Sequence, residues 1–326
     1  RDQSRGLGDV YKRQVKDQSG KIIRDNIWGN LDQDTYRRDF TVNALYYCPK
    51  TKKIIGHKDG MSDIHKKSIV SIGDPKKRFS EDPVRSLRAI RFSNKLKFKI
   101  DTKIKDAIYE KGHLLSSISN ARIFDEFCKM FLNGMAEKNF NKLNSFGLSK
   151  FLITTEPDQN EFTSKLITEA LRNTDKRMIN NQSVTPGFLL AALLWPQLIE
   201  KCSTKGEINL RKFFRSMDPI LRSQQRITAI PRKFHSYIKD IWVLQLKLHS
   251  RIGKQPYKTL KHPRFRAAYD FMLIREKSAG SSKHLGKWWT NFQKNDDRLK
   301  LSLINSLKEK DIQESFKTFG FSSELR

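Results

Sequence analysis

Ser80-Glu81-Asp82-Pro83-Val84-Arg85-Ser86-Leu87-Arg88-Ala89-Ile90-Arg91-Phe92 reads as the start of an amphipathic helix and sets the character of nearly everything after it. Asp82 followed by Pro83 is an N-cap ahead of a first-turn proline. Past them Val84, Leu87 and Ile90 recur every third position and can turn to a core, while Asp82, Arg85 and Arg88 share another side. A fixed carboxylate beside a fixed guanidinium can read a base edge, because an amino group donates to the first and a ring nitrogen accepts from the second. The same residues would equally serve as a cap and an i,i+3 ion pair.

The helical recurrence continues through Ile123, Phe127, Met130 and Phe131, then through Ile238, Ile241, Trp242, Leu244, Leu246 and Leu248. Upstream the pattern differs. Residues 15 to 35 are polar and carry Gly20, Asn26, Gly29 and Asn30, which predicts an exposed loop. Phe40, Ala44 and Leu45 predict a short buried helix from Arg37. Tyr46-Tyr47-Cys48, a Pro49-Lys50-Thr51 turn and Ile54-Ile55 predict a hairpin, and Gly60 and Gly73-Asp74-Pro75 are further turn signals. The fold class is α+β, predominantly α. Residues 1–14 lack apolar periodicity and look like a translated adaptor, so they are set aside as a non-native leader.

The chain has 326 residues, long enough for two or three packed units, and 37% hydrophobic content excludes a wholly disordered chain. Its 64 Lys and Arg against 35 Asp and Glu give a formal charge of +29, which calls for a polyanionic partner. Nucleic acid fits best, since neutralised phosphates release counterions; an anionic membrane or simple solubility is the alternative. Cys48, Cys128 and Cys202 lie far apart, which argues against a disulfide framework or zinc site and for a reducing cytoplasm. The apolar run from Gly187 to Trp195 is too short to span a membrane and ends at Pro196, so it reads as a buried core helix.

Between Ile241 and Tyr269 lie Lys247, Arg251, Lys254, Lys258, Lys261, Arg264 and Arg266 and no acid, with Tyr257, Phe265 and Tyr269 interleaved. Such a basic groove suits RNA held without sequence preference. The charges carry that expectation. Phe265 and Tyr269, four apart, have the spacing of core residues, and Trp288 and Trp289 are likewise assigned no ligand.

A second cluster is Asp34-Thr35-Tyr36-Arg37-Arg38-Asp39-Phe40-Thr41-Val42-Asn43-Ala44-Leu45. An arginine pair offers forked donors to phosphate or ribose, and an adjacent carboxylate can accept from a sugar hydroxyl or help hold a divalent metal. A solvated helix start is the other possibility. Taken in order, an acid, RRDFT-x-N-A-L-x-Y, a hairpin and a helix opening ED-x-x-R-x-LRA-x-RF resemble the nucleotidyltransferases that include bacterial CCA-adding enzymes and poly(A) polymerases. The resemblance implies that Arg38 and Asp39 face the sugar and phosphates of an incoming nucleotide near the metal site, that Asp39 is an active-site acid, that Asp82 and Arg85 read the base, and that Arg37 and Arg88 belong to the same nucleotide-binding set. Asn120-Ala121-Arg122-Ile123-Phe124-Asp125-Glu126 resembles the next family helix, where Arg122 would support the nucleotide pocket.

Gly56 and Asp59-Gly60 depart from the family's turn pattern. The family's glycine-rich phosphate loop and Asp-x-Asp metal ligands are not found upstream, so the expectation is a truncated head, inactive alone, with Mg2+ and ATP belonging to the full-length enzyme. Ala229-Ile230-Pro231, Lys239-Asp240-Ile241-Trp242, His262-Pro263-Arg264-Phe265-Arg266 and Lys287-Trp288-Trp289 resemble poly(A) polymerases in near-contiguous blocks, from about residue 20 to about 293. The implied layout is the C-terminal part of a polymerase-β-like head at 15–73, a helical neck at 74–135 and a helical RNA-binding body at 136–326. The implied activity is ATP-dependent, template-independent extension of the 3′ ends of mRNA and other transcripts in the cytoplasm. CCA addition to tRNA and a non-catalytic basic RNA-binding protein remain alternatives.

Overall fold

The computed structural model describes residues 15–16, 22–24, 30–57, 59–204, 207–280, 284–307 and 312; the leader assigned to 1–14 lies outside the described residues. Two compact units divide the chain, Arg1–Leu114 and Leu115–Arg326. The 74–135 segment expected as a neck is therefore shared between them.

In the first unit β1 (Val15–Lys16) pairs antiparallel with β2 (Ile22–Arg24), and α1 (Leu31–Arg37) follows. Next come the hairpin of β3 (Leu45–Cys48) and β4 (Lys53–Gly56), then α2 (Gly60–His65), β5 (Ser68–Ile69), α3 (Pro75–Glu81), α4 (Val84–Leu96), β6 (Lys99–Ile100) and α5 (Thr102–Lys111). β5 and β6 are parallel, so α3 and α4 form their crossover. The expected hairpin is present with Tyr46 opposite Ile55 and Tyr47 opposite Ile54. Gly56 ends it at φ +136°, where a Cβ would strike the Ala44 carbonyl, so glycine is required there. Val84, Leu87 and Ile90 are all fully buried on α4, as their spacing predicts.

Two upstream expectations fail. The exposed loop of 15–35 contains β1, β2 and most of α1, whose Asn30 cap accepts a hydrogen bond from the Gln33 N–H at 2.8 Å. The helix expected from Arg37 is instead where α1 ends: Arg38 and Phe40 are extended, and only a single 3-10 turn, Thr41–Asn43, follows. The cause is tertiary. Thr41 N–H donates to the Val70 carbonyl at 3.0 Å and Ile72 N–H to the Asp39 carbonyl at 3.2 Å, which holds this segment extended against the residues after β5 and overrides its helical spacing.

The second unit is helical: α6 (Asn120–Phe131), α7 (Ala136–Ser145), α8 (Glu161–Ile179), α9 (Pro186–Leu193) and α10 (Trp195–Cys202). A short hairpin of β7 (Ser203–Thr204) and β8 (Glu207–Ile208) interrupts the helices. α11 (Leu210–Ile227), α12 (Arg232–His249), α13 (Gln255–Leu260), α14 (Phe265–Ala279), α15 (His284–Lys294) and α16 (Asp297–Asn305) complete it. α9 is buried from Gly187 to Leu193, as its apolar run implies, and the Trp242 indole N–H donates to the Ala191 carbonyl at 2.9 Å to fasten α12 on it. A second core joins Leu244, Leu248, Phe265, Tyr269, Trp288, Trp289 and Phe292. No helix among the described residues is long and apolar enough to cross a membrane.

The fold places its three free thiols in different surroundings. Burial pushes Cys128 up to about 11 and Cys202 up to about 12, whereas hydrogen bonds from Thr51 lower Cys48. Only Cys48 therefore gains thiolate character near pH 8. Iodoacetamide at pH 8 is expected to label Cys48 well before the other two, read by peptide mass spectrometry; equal labelling of Cys202 would contradict this packing.

Candidate functional site

The two charged motifs that the sequence separates by about forty residues are brought into direct contact. Asp39, on the extended segment after α1, places one carboxylate oxygen 3.2 Å from Arg85 Nε and the other 2.7 Å from Arg88 Nη1. Asp82 closes the ring from the far side, 3.9 Å from Arg85 Nε and 3.6 Å from Arg88 Nη2. Asp82 also accepts from the Val84 N–H at 3.3 Å, but the N-cap of α4 is Pro83 and the first helical residue Val84, so the expected cap at Asp82 and first-turn position at Pro83 each fall one residue early. Burial pushes the Arg85 guanidinium below its ordinary value, with Asp39 and then Asp82 opposing the shift. Arg85 Nη1 is buried with no hydrogen-bond partner among the described residues. An orphaned cationic N–H of this kind is costly unless a ligand accepts from it.

Beside this ring lies a cavity of 440 Å³ lined by Arg37, Arg38, Asp39, Asn43, Arg88 and Phe92. Its size falls within the roughly 300–1,000 Å³ typical of small-molecule sites, and three arginines against one aspartate favour an anionic ligand.

Several residues that sequence reasoning did not single out build this wall. Arg38 is held by Asp34, with Nη2 at 3.2 Å, and the Tyr46 hydroxyl donates a short hydrogen bond to the same Asp34 oxygen. Burial and the bond to Asp34 raise the Tyr46 phenol above its ordinary value, so it remains a protonated donor at neutral pH. Arg78 on α3 donates to the Arg37 carbonyl at 3.1 Å and the Arg38 carbonyl at 2.9 Å. Thr41 donates to buried Asp63 at 2.6 Å. Asp34 and Tyr46 lay within the quoted motif and could have been found by asking what holds Arg38. Arg78 had no local signal, because its partners are about forty positions away.

Arg122 lies in the second unit, exposed in the first turn of α6, whereas the cavity is lined entirely by first-unit residues. Of the seven cations expected to hold RNA, Lys247, Lys254, Lys258, Lys261, Arg264 and Arg266 are exposed. Arg251 is not: it is 4% exposed, with its guanidinium 5.5 Å from the Trp288 ring centre, so it belongs to the core instead. Phe265, Tyr269, Trp288 and Trp289 are core residues too.

The residues present do not fit a divalent metal. The described residues contain no group of three or more His, Cys, Asp or Glu that could hold an ion. Both Asp39 oxygens already face guanidinium groups, where a cation would meet two like charges.

Residues 5–70 match the family model described as "Poly A polymerase head domain", 97–162 "Probable RNA and SrmB- binding site of polymerase A", and 205–317 "Polymerase A arginine-rich C-terminus". The last match extends past residue 293, where the sequence blocks were expected to stop. Poly(A) polymerase I of Haemophilus influenzae is 36% identical over 87% of this chain and 65% of its own length; that of Escherichia coli O6:H1 is 34% identical over 93% and 68%. The chain thus spans about two thirds of these relatives. The CCA-adding enzyme of Pediococcus pentosaceus is 42% identical, but over 36% of this chain. The Thermotoga maritima CCA-adding enzyme complexed with tRNA shares the fold, with a TM-score of 0.56 at 18% identity over 95% of this chain and 82% of its own.

The four-residue ring behaves as a unit only if its charges are coupled. A double-mutant cycle of Asp39→Asn with Arg88→Gln, measured by urea unfolding, is expected to give a coupling energy of about 1–2 kcal/mol. Strictly additive losses would dissolve the ring into separate surface pairs.

Proposed function

This chain belongs to the poly(A) polymerase family, and on that premise we propose that its first unit binds and selects ATP while its second holds RNA for template-independent extension of the 3′ end. The observation that carries the nucleotide part is the Asp39–Arg85–Arg88–Asp82 ring standing beside the 440 Å³ cationic cavity. Arg37, Arg38 and Arg88 supply forked donors for the phosphates. Asp82 and Arg85 supply the acceptor and donor that a base edge requires, and the orphaned Arg85 Nη1 is an N–H available for that task.

Asp39 takes a role other than metal ligation in this proposal. It acts as a positioning residue, fixing the two guanidinium groups that face the nucleotide. Mg2+ is expected of the full-length enzyme, and the described residues supply no ligand set for it. Cytoplasmic RNA is the proposed partner, favoured by the +29 charge.

CCA addition is the second reading. The 42% identity of a CCA-adding enzyme over 122 residues favours it. Coverage favours adenylation, because poly(A) polymerases remain similar across 87% or more of the chain while the CCA-adding enzyme matches 36%.

RNA extension by the full-length protein, supplied with one nucleotide at a time, is expected to proceed with ATP; preferential use of CTP would reject adenylation. Arg85→Ala is expected to lower the ATP-to-CTP ratio of kcat/KM by about fivefold to a hundredfold, the loss of about 1–3 kcal/mol of base discrimination. Unchanged selectivity would remove Arg85 from base reading.

A further inference from the structure

A second cavity, of 230 Å³, lies in the helical unit where the last turn of α8, the start of α9 and the start of α14 meet Tyr237 of α12. Its charged lining is Arg177, Arg264 and Arg266 against one carboxylate, Asp270. Arg177 and Tyr237 belong to neither the nucleotide motifs nor the basic run of 247–266.

The arginines are held in place before any ligand arrives. Asp270 Oδ2 accepts from Arg177 Nη1 at 3.2 Å and from Arg266 Nε at 3.3 Å, with Oδ1 also 3.2 Å from Arg266 Nε. Arg264 is placed by a ring instead, with its guanidinium 4.8 Å from the Tyr237 ring centre. Gly187 allows this assembly: a Cβ there would stand 2.9 Å from Phe234 and 3.0 Å from Tyr237, so only glycine lets α9 lie this close to α12. Thr185, also in the cavity lining, accepts from the Phe188 N–H at 3.2 Å through its hydroxyl oxygen, which leaves the O–H as a further donor.

We infer that this cavity binds one phosphodiester of a single RNA strand, with an adjoining base stacked against the Arg264–Tyr237 pair. The inference rests on the RNA-holding role proposed above for the second unit. Three guanidinium groups against one carboxylate leave a net charge of about +2, matched to an anion with several acceptor oxygens. The volume is below the roughly 300 Å³ at which drug-sized ligand sites begin, so it accommodates a phosphate with its sugar rather than a folded stem. Exposed Lys258 and Lys261 precede Arg264 closely in the chain, so the cavity continues a cationic track, as a polyanion with regularly spaced phosphates requires.

The test is fluorescence anisotropy of a labelled oligoadenylate titrated with the full chain over a range of salt. Arg177→Gln and Arg264→Gln are compared with Lys165→Gln, which makes the same charge change at an exposed position on α8. Each cavity variant is expected to weaken binding about fivefold to tenfold and to flatten the salt slope by about 0.7, one phosphate of a single strand. The control keeps the wild-type slope. Wild-type binding that ignores Arg177 and Arg264, or weakens equally with Lys165→Gln, overturns this inference alone. A wild-type chain that fails to bind the oligonucleotide even at low salt overturns the RNA-holding reading as well. Competition by AMP at the oligonucleotide's own affinity would reject the strand in favour of a mononucleotide.

Discussion

The placement of one carboxylate, that of Asp39, governs the first unit. It faces Arg85 through one oxygen and Arg88 through the other, and each partner carries a charge that burial alone would penalise. The guanidinium groups can stand 12% and 25% exposed beside an arginine-lined cavity only because two acids balance them. The backbone is organised to hold this contact. Residues 39 to 41 are tied to the segment after β5, and Arg78 grips the carbonyls of Arg37 and Arg38. The local helix that Phe40, Ala44 and Leu45 would otherwise form is given up to aim one side chain. Sequence-local preference yields to a tertiary requirement here, as is common where a site must be held rigid.

That conflict explains what could be read from the residues and what could not. The α4 face was legible because its periodicity and function agree: Val84, Leu87 and Ile90 reach the core and thereby set Arg85 and Arg88 on the other side. The hairpin was legible from turn chemistry. The extended 38–40 segment was not, since its pattern is helical and its partners lie about thirty positions downstream. The contact between Asp39 and α4 was equally hidden. Each motif alone is a charged helix end, and a spacing cannot show that two such ends form one ring.

Charge count is a poor guide to surface in the second unit. Arg275 is 2% exposed; its Nη1 donates to Gln245 at 2.9 Å while its guanidinium lies 4.3 Å from the centre of the Trp195 ring. Burial lowers it to about 9, with Glu276 opposing the shift, so it is still cationic at neutral pH. Arg251 occupies a similar niche against Trp288. Between them, burial first and then Arg275 and Arg251 hold the His249 imidazole well below its ordinary value, so this layer gains no third cation at neutral pH. Two of the arginines in the C-terminal region are thus core components, each placed against an aromatic face, with Glu276 also beside Arg275.

The distinction between buried and exposed cations bears on how a chain of such charge could discriminate at all. A uniformly cationic surface attracts any polyanion and gives affinity without register. Specific grip needs cations whose geometry is fixed by something other than the ligand. The first unit fixes Arg85 and Arg88 with Asp39 and Asp82; the second fixes Arg177 and Arg266 with Asp270, and Arg264 with Tyr237. In each case an acid lowers the local charge, and therefore the bulk attraction, in exchange for orientation. The few acids of this basic chain are informative for that reason: an aspartate flanked by two arginines in a cavity wall marks a place where geometry, rather than net charge, was the requirement.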